Sequence, residues 1–125
     1  MSRTIIDTPD APKSASYAQA VKAGGLIFVS GTPPQDPATG KLVEGPVQVQ
    51  LAQCLRNISV ILEAAGSSLA KAVSATLILA DEDDFAEANS EWMKWFPTDP
   101  PARQGAKLPV RISGLRVSVA MVAEA

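Results

Sequence analysis

The chain has 125 residues and a formal net charge of −2, with 46% hydrophobic and 19% charged residues, a balance typical of one globular domain over residues 1–125. It contains no histidine and only one cysteine, Cys54. These counts exclude Ser-His-Asp and Cys-His nucleophilic sites, histidine metal clusters and an intrachain disulfide. The mild negative charge and the few aromatic residues disfavour nucleic acid as a partner.

No targeting segment is predicted. The first seven residues contain no apolar core followed by a small-residue cleavage site. No apolar run approaches the roughly 20 residues that a membrane span needs. We therefore expect a cytoplasmic protein that does not bind membranes.

The first third of the chain predicts strands and a loop. After a short apolar start and a polar, turn-forming stretch, residues 17–21 and 26–30 have the composition of two strands joined by a glycine turn. Residues 31–40 contain three prolines, which lack the backbone N–H that a sheet interior needs. This segment is therefore predicted to be a long loop.

Apolar residues at helical spacing predict a helix over 46–65, with Pro46 in its first turn and Gly66 at its left-handed stop. Residues 72–80 are apolar and uncharged, which predicts a strand in the sheet interior. A second helix is predicted over about 83–96, and a strand over 115–123 closes the chain. Residues 100–114 give a less regular pattern.

The second helix has both capping and core signals. Asp83 or Asp84 can cap it, and its predicted buried face comprises Phe85, Ala88, Trp92, Trp95 and Phe96. The acids at 81–84 are interpreted as capping residues rather than as a metal site. Cys54 lies beside the apolar stripe of the first helix and is interpreted as a packing residue. The order of elements predicts an α+β domain with two helices on one face of a sheet.

Several segments, taken in order, resemble the Rid family (reactive intermediate deaminases, also called the YjgF family). The segments are 16–21 (Ser-Tyr-Ala-Gln-Ala-Val), 28–31 (Phe-Val-Ser-Gly), 36–40 (Asp-Pro-Ala-Thr-Gly), 62–66 (Leu-Glu-Ala-Ala-Gly), 80–81 with 84–85 and Asn89, and 101–103 (Pro-Ala-Arg). The resemblance spans nearly the whole chain. It implies a chorismate-mutase-like mixed sheet and a homotrimer with ligand clefts between subunits.

The resemblance also implies an activity and a set of site residues. Rid proteins hydrolyse enamines and imines such as 2-aminoacrylate to 2-keto acids and ammonia, without a cofactor and without a metal. The arginine that holds the substrate carboxylate corresponds to Arg103. The other positions assigned to substrate binding are Tyr17, Ser30, Gly31, Asn89 and Gly105.

The closing strand departs from the family pattern. The family usually has two glutamates there, and the first of them positions the reacting water; counting from Arg103 puts Ser118 and Ala120 at these positions. A serine can orient water but cannot accept its proton near neutral pH. The sequence therefore predicts weak activity, or activity redirected to a pathway-specific imine or enamine, for example in secondary metabolism.

Each site residue also has a purely structural interpretation. Arg103 can form a surface or interface ion pair, and Tyr17 can pack on Phe28. Ser30 and Gly31 can simply end a strand, Asn89 can be a polar residue of a helix surface, and Ser118 can be inert.

Two functions follow from these observations. The first is a cofactor-free imine or enamine deaminase with Arg103 as the carboxylate anchor. The second is a non-catalytic trimer that binds small carboxylates or keto acids, or that acts through protein contacts as a chaperone or regulator.

Overall fold

The computed structural model describes residues 2–125, in which six strands form one mixed sheet and two α-helices cover one of its faces. The elements are β1 (Thr4–Ile6), β2 (Ala20–Ala23), β3 (Leu26–Thr32), α1 (Val47–Ala64), β4 (Ala72–Leu79), α2 (Phe85–Trp95), β5 (Ala102–Lys107) and β6 (Val117–Glu124). The strand order is β1-β2-β3-β6-β4-β5, with β4 and β5 parallel and the other neighbours antiparallel. The predicted mixed sheet with two helices is confirmed.

Helix α1 begins and ends where the sequence predicts. Pro46 precedes its first residue, and Gly66 adopts a φ of +84°, a conformation that glycine reaches without steric cost. The N–H of Ser67 donates to the carbonyl of Leu62 at 2.8 Å, which satisfies an acceptor at the end of the helix. The apolar stripe of α1 is fully buried against the sheet and α2.

Alternation along the central strands separates a buried face of the sheet from an open one. The side chains of Val117, Val119, Met121 and Ala123 on β6 are at most 2% exposed and belong to the core under the helices. The opposite face contains Phe28 on β3 and Val73 on β4, which are 47% and 45% exposed. One face of the sheet therefore forms the core, and the other leaves large apolar side chains in contact with solvent.

Two strand predictions need correction. The second strand begins at Ala20, so Tyr17 lies in the preceding segment, where proline and serine residues favour turns. The stretch that seemed irregular contains β5, which pairs with β4 through six residues and is regular because the β4 backbone supplies its hydrogen-bond partners. It is an edge strand, so its outer side needs no apolar pattern.

The start of the second helix also differs from the prediction. A 3₁₀ turn over Glu82–Asp84 precedes α2 and is capped by Asp81, which accepts from the N–H of Asp83 at 2.9 Å. Asp84 occupies the N-cap position of α2, but its side chain makes no capping hydrogen bond and pairs with Arg116 instead. Phe85 was expected in the buried face, but it is 49% exposed. As the first residue of α2, it lies beyond the part of the helix that α1 covers.

Candidate functional site

Arg103 lies on the face of the edge strand β5 that points toward α2. Its register partner on β4 is Ala75, which is buried under the helices, so strand alternation sends the Arg103 side chain to the same side. The central carbon of its guanidinium group lies 5.2 Å from the ring centroid of Trp92 and 5.7 Å from that of Phe85. Two aromatic rings of α2 therefore hold the cation in place.

The guanidinium group makes no ion pair with the residues described, 2–125, in which the basic partners of the four salt bridges are Lys13, Lys94, Lys107 and Arg116. Aromatic contacts use the flat face of a guanidinium group, whereas its N–H donors point outward in the plane. Arg103 is therefore placed to offer a planar pair of donors to an external carboxylate. This geometry removes the intrachain version of the ion-pair alternative.

Asn89 and Gly105 complete what we call the arginine cluster, which comprises Phe85, Asn89, Trp92, Arg103 and Gly105. Asn89 is four residues after Phe85 and three before Trp92, so the three share one side of α2. It is half-buried, and its amide lies 3.8 Å from the sulfur of Met93. Gly105 is two residues after Arg103 on β5 and faces the same way. A cavity of about 530 Å³ borders this cluster.

The other predicted site residues form what we call the serine cluster: Tyr17, Ser30, Gly31 and Ser118. The first three border one small cleft, and Gly31 lies beside Ser118. The pairing of β3 with β6 shifts by one residue between Val29 and Thr32. This irregularity is a β-bulge at Ser30 and Gly31, and bulges often redirect backbone and side chains beside binding sites.

Ala120 of β6 lies opposite this bulge, and Ser118, two residues before it on the same face of the strand, is 8% exposed. Its hydroxyl donates to the carbonyl of Thr32 at 3.3 Å, and a Cβ added at Gly31 would lie 3.6 Å from the Ser118 oxygen. Gly31 itself is exposed. The absence of a side chain at Gly31 therefore keeps the approach to Ser118 open.

Ser30 is held by hydrogen bonds to the segment that follows Tyr17. The Ser30 hydroxyl donates to the carbonyl of Ala18 at 2.6 Å, and the N–H of Ser30 donates to the carbonyl of Gln19 at 3.0 Å. The buried Gln19 amide also accepts from the N–H of Thr8 and donates to three carbonyls over residues 8–12. Tyr17 is 52% exposed and borders a small cleft that it shares with Ser30, Gly31 and Thr32.

The arginine and serine clusters do not meet within one chain. Ser118 is in register with Ile78 of β4, whereas Arg103 is in register with Ala75, three residues away along that strand. An odd number of residues puts the two side chains on opposite faces, and strand spacings separate their backbones by about 14 Å. A ligand that contacts both clusters therefore requires a second copy of the chain.

Two members of the arginine cluster were missed as site residues. Phe85 and Trp92 are seven residues apart on α2, a spacing that indicated only a core stripe. Their contact with Arg103 depends on the parallel pairing of β5 with β4, which the sequence pattern did not reveal. Trp92 is nonetheless buried and stacks on Phe96 with ring centroids 4.6 Å apart, so it serves the core as well.

Other reactive side chains have structural roles. Burial raises the pKa of the Cys54 thiol well above its usual range, and the thiol points to the carbonyl of Val117. Asp84 forms an ion pair with Arg116 at 3.2 Å, which occupies one of the clustered acids. Over residues 2–125, no group of three or more histidine, cysteine or acidic side chains is arranged to hold a metal ion.

The chain is similar to known proteins over nearly its whole length. The family described as Endoribonuclease L-PSP matches residues 8–125. The RutC family protein y4sK of Sinorhizobium fredii is 41% identical and covers 94% of each chain. The 2-iminobutanoate/2-iminopropanoate deaminase of Bos taurus is 38% identical over 97% of this chain and 89% of its own.

The fold is also similar to that of solved proteins. A crystal structure of a Rid family protein from Yersinia pestis superposes with a TM-score of 0.92, at 29% identity, over 99% of this chain and 100% of that one. Among the helices described in residues 2–125, none has the length and apolar character that a membrane span requires.

Proposed function

The chain belongs to the Endoribonuclease L-PSP family, which includes the Rid (YjgF) proteins, and from this premise we propose that it acts on small carboxylated enamines and imines. The reaction is hydrolysis to a 2-keto acid and ammonia. The observation that carries the proposal is the guanidinium group of Arg103, held on its faces by Phe85 and Trp92 and without an ion pair in the described residues. Such a group binds a carboxylate with two parallel hydrogen bonds.

We propose that the complete site forms between subunits of a homotrimer. The arginine cluster of one copy would face the serine cluster of the next, since a ligand cannot contact both within one chain. The exposed Phe28 and Val73 on the open face of the sheet support such an assembly, because association would remove them from water.

In the proposed reaction, the carboxylate of the substrate binds Arg103 while the enamine carbon takes a proton, giving an iminium ion. Water adds to the iminium carbon, and the resulting carbinolamine collapses to the keto acid with release of ammonia. The Ser118 hydroxyl would hold the attacking water by a hydrogen bond. Since a hydroxyl does not accept the proton of water at neutral pH, this step lacks a general base worth on the order of 10² to 10⁴ in rate.

The substitution of a carboxylate by Ser118 leads to the finer part of the proposal. Activity on 2-aminoacrylate is weak, or the site serves an unstable imine or enamine of a dedicated pathway such as secondary metabolism. No cofactor takes part in this reaction, since each step needs only proton transfer and water. The predicted compartment is the cytoplasm.

A second candidate is a non-catalytic trimer that binds small carboxylates or keto acids as a chaperone-like regulator. This candidate is favoured by Ser118. A site that has Arg103 to bind a carboxylate, but a hydroxyl where hydrolysis needs a base, suits binding better than turnover. The endoribonuclease activity that the family's description names fits this chain less well, since the chain has no histidine and a net charge of −2.

A coupled assay separates these functions. A dehydratase generates 2-aminoacrylate in place, and pyruvate release is followed with the wild type and with Arg103→Ala. Acceleration by the wild type that Arg103→Ala abolishes would support the deaminase. Binding of pyruvate to the wild type without any acceleration would support the non-catalytic trimer, and neither effect would contradict both.

A further inference from the structure

We propose that Gly105 opens an apolar subsite beside Arg103, and that the site prefers 2-imino and 2-keto acids with branched or aromatic side chains to pyruvate-sized ones. This inference rests on the proposed function, since it assumes that Arg103 binds the acid group. It concerns the part of the substrate that the reaction leaves unchanged.

The cavity beside Arg103 has the size and walls of a small-molecule site. In a single copy its volume is about 530 Å³, within the range of 300–1,000 Å³ that ligand pockets occupy, and the serine cluster of a second copy would form the remaining wall. Leu77 and Leu79 of β4 and Phe85 of α2 provide apolar side chains around it. A methyl or ethyl group would leave these apolar walls in contact with water, whereas a larger apolar group would cover them and bury its own surface.

Gly105 determines how far the cavity extends toward β5. It lies between Arg103 and Lys107 on the same face of the strand, in register with Leu77. An added Cβ would meet only the carbonyl of Leu77 within 4 Å, at 3.8 Å, which is an ordinary contact. The backbone therefore leaves room for a Cβ at position 105, and a side chain there would start from the wall of the cavity.

The charges at the rim favour an apolar group over a second acid group. Lys107 and Glu82 both border the cavity, and their side chains pair with each other at 3.3 Å. A second carboxylate on the ligand would have to compete with Glu82 for Lys107. Arg103 therefore remains the cation available to a ligand, and the rest of the cavity suits an uncharged group.

The test uses stable 2-keto acids as probes of increasing size: pyruvate, 2-oxobutanoate, 4-methyl-2-oxopentanoate and phenylpyruvate. Their dissociation constants are measured by calorimetry on the assembled wild-type protein. We expect 4-methyl-2-oxopentanoate to bind about tenfold more tightly than pyruvate, since each buried methylene contributes roughly fourfold and burial is partial.

Substitutions at Gly105 test the assignment of the subsite. Gly105→Ala should reduce the preference slightly, and Gly105→Leu should abolish it. Ala102→Val is the matched control, because it adds the same kind of side chain to β5 on the opposite face and should leave the preference unchanged.

The possible outcomes distinguish a failure of the apolar subsite from a failure of the proposed function. Equal affinities across the series in the wild type, all lowered by Arg103→Ala, would overturn the subsite and leave the proposed function standing. A lack of binding for every acid would overturn both. The wild-type series decides the matter even where Gly105→Leu fails to fold.

Discussion

The arginine cluster and the serine cluster differ in how they are built. Arg103 extends from a regular strand and packs on two aromatic rings of a helix. Ser30 and Gly31 instead form a β-bulge, and Gly31 lies beside Ser118 of the neighbouring strand. Under the proposed function, the first region keeps the group that binds a carboxylate, and the second has a serine in place of a carboxylate base. The comparison indicates that recognition and chemistry can diverge separately.

The largest effect is expected from adding a base to the serine cluster. Ser118→Glu should accelerate 2-aminoacrylate hydrolysis by about 10²-fold, because a carboxylate beside the water can accept its proton. Ser118→Gln is the matched control, since it has the same shape without the charge and should give no gain. Pyruvate release in the coupled assay measures both. Equal rates for the Glu and Gln variants would mean that the serine cluster does not hold the reacting water.

The next effect concerns the arginine cluster. Arg103→Ala should weaken keto acid binding by about 10- to 100-fold, the range expected for lost hydrogen bonds to a charged group. Arg103→Lys should recover part of the affinity, because it restores the charge but not the planar pair of donors. Calorimetry with 2-oxobutanoate measures both variants. Unchanged affinity in Arg103→Ala would place the carboxylate elsewhere.

A smaller effect tests whether the aromatic rings position Arg103. Phe85→Leu should weaken keto acid binding by about threefold, since the substitution keeps an apolar side chain but removes a cation–π contact. Phe85→Tyr retains the ring and should bind as the wild type does. Because Phe85 is half exposed, neither variant should lower the melting temperature by more than a few degrees. An equal loss in both variants would contradict the stacking role.

The smallest effect is expected outside both clusters. Burial raises the pKa of the Cys54 thiol, so the fraction of reactive thiolate in the native protein stays negligible even at pH 8. A thiol reagent should therefore label Cys54 only after denaturant unfolds the chain. Rapid labelling of the native protein would show that the core around α1 opens readily.

Much of the fold was predictable because its core follows simple periodicity. Helix α1 and strand β6 have apolar residues at helical and alternating spacing, and the corresponding side chains are buried. Strand β5 was not predicted because an edge strand buries few side chains and therefore shows no clear alternation of apolar residues. Phe85 was placed in the core because helical spacing gives the direction of a side chain but not the extent of the surface above it.

The candidate site was only partly predictable for a similar reason. Single residues such as Arg103 and Tyr17 could be identified from motifs, but motifs carry no information on which residues share a face. The separation into two clusters depends on the register of β4 with β5 and β6, which is a property of the folded sheet. The bulge at Ser30 and Gly31 is likewise set by the pairing with β6.

The central claim is that one site combines the arginine cluster of one copy with the serine cluster of another. Two variants, each deficient in one cluster, test it: Arg103→Ala, and Gly31→Leu, whose side chain would block the approach to Ser118. They are unfolded together in equal amounts, refolded, and titrated with 2-oxobutanoate. Random mixing in a trimer should restore about one quarter of the wild-type sites, although each variant refolded alone binds poorly. A mixture that binds no better than its components, despite proven subunit exchange, would contradict the shared site.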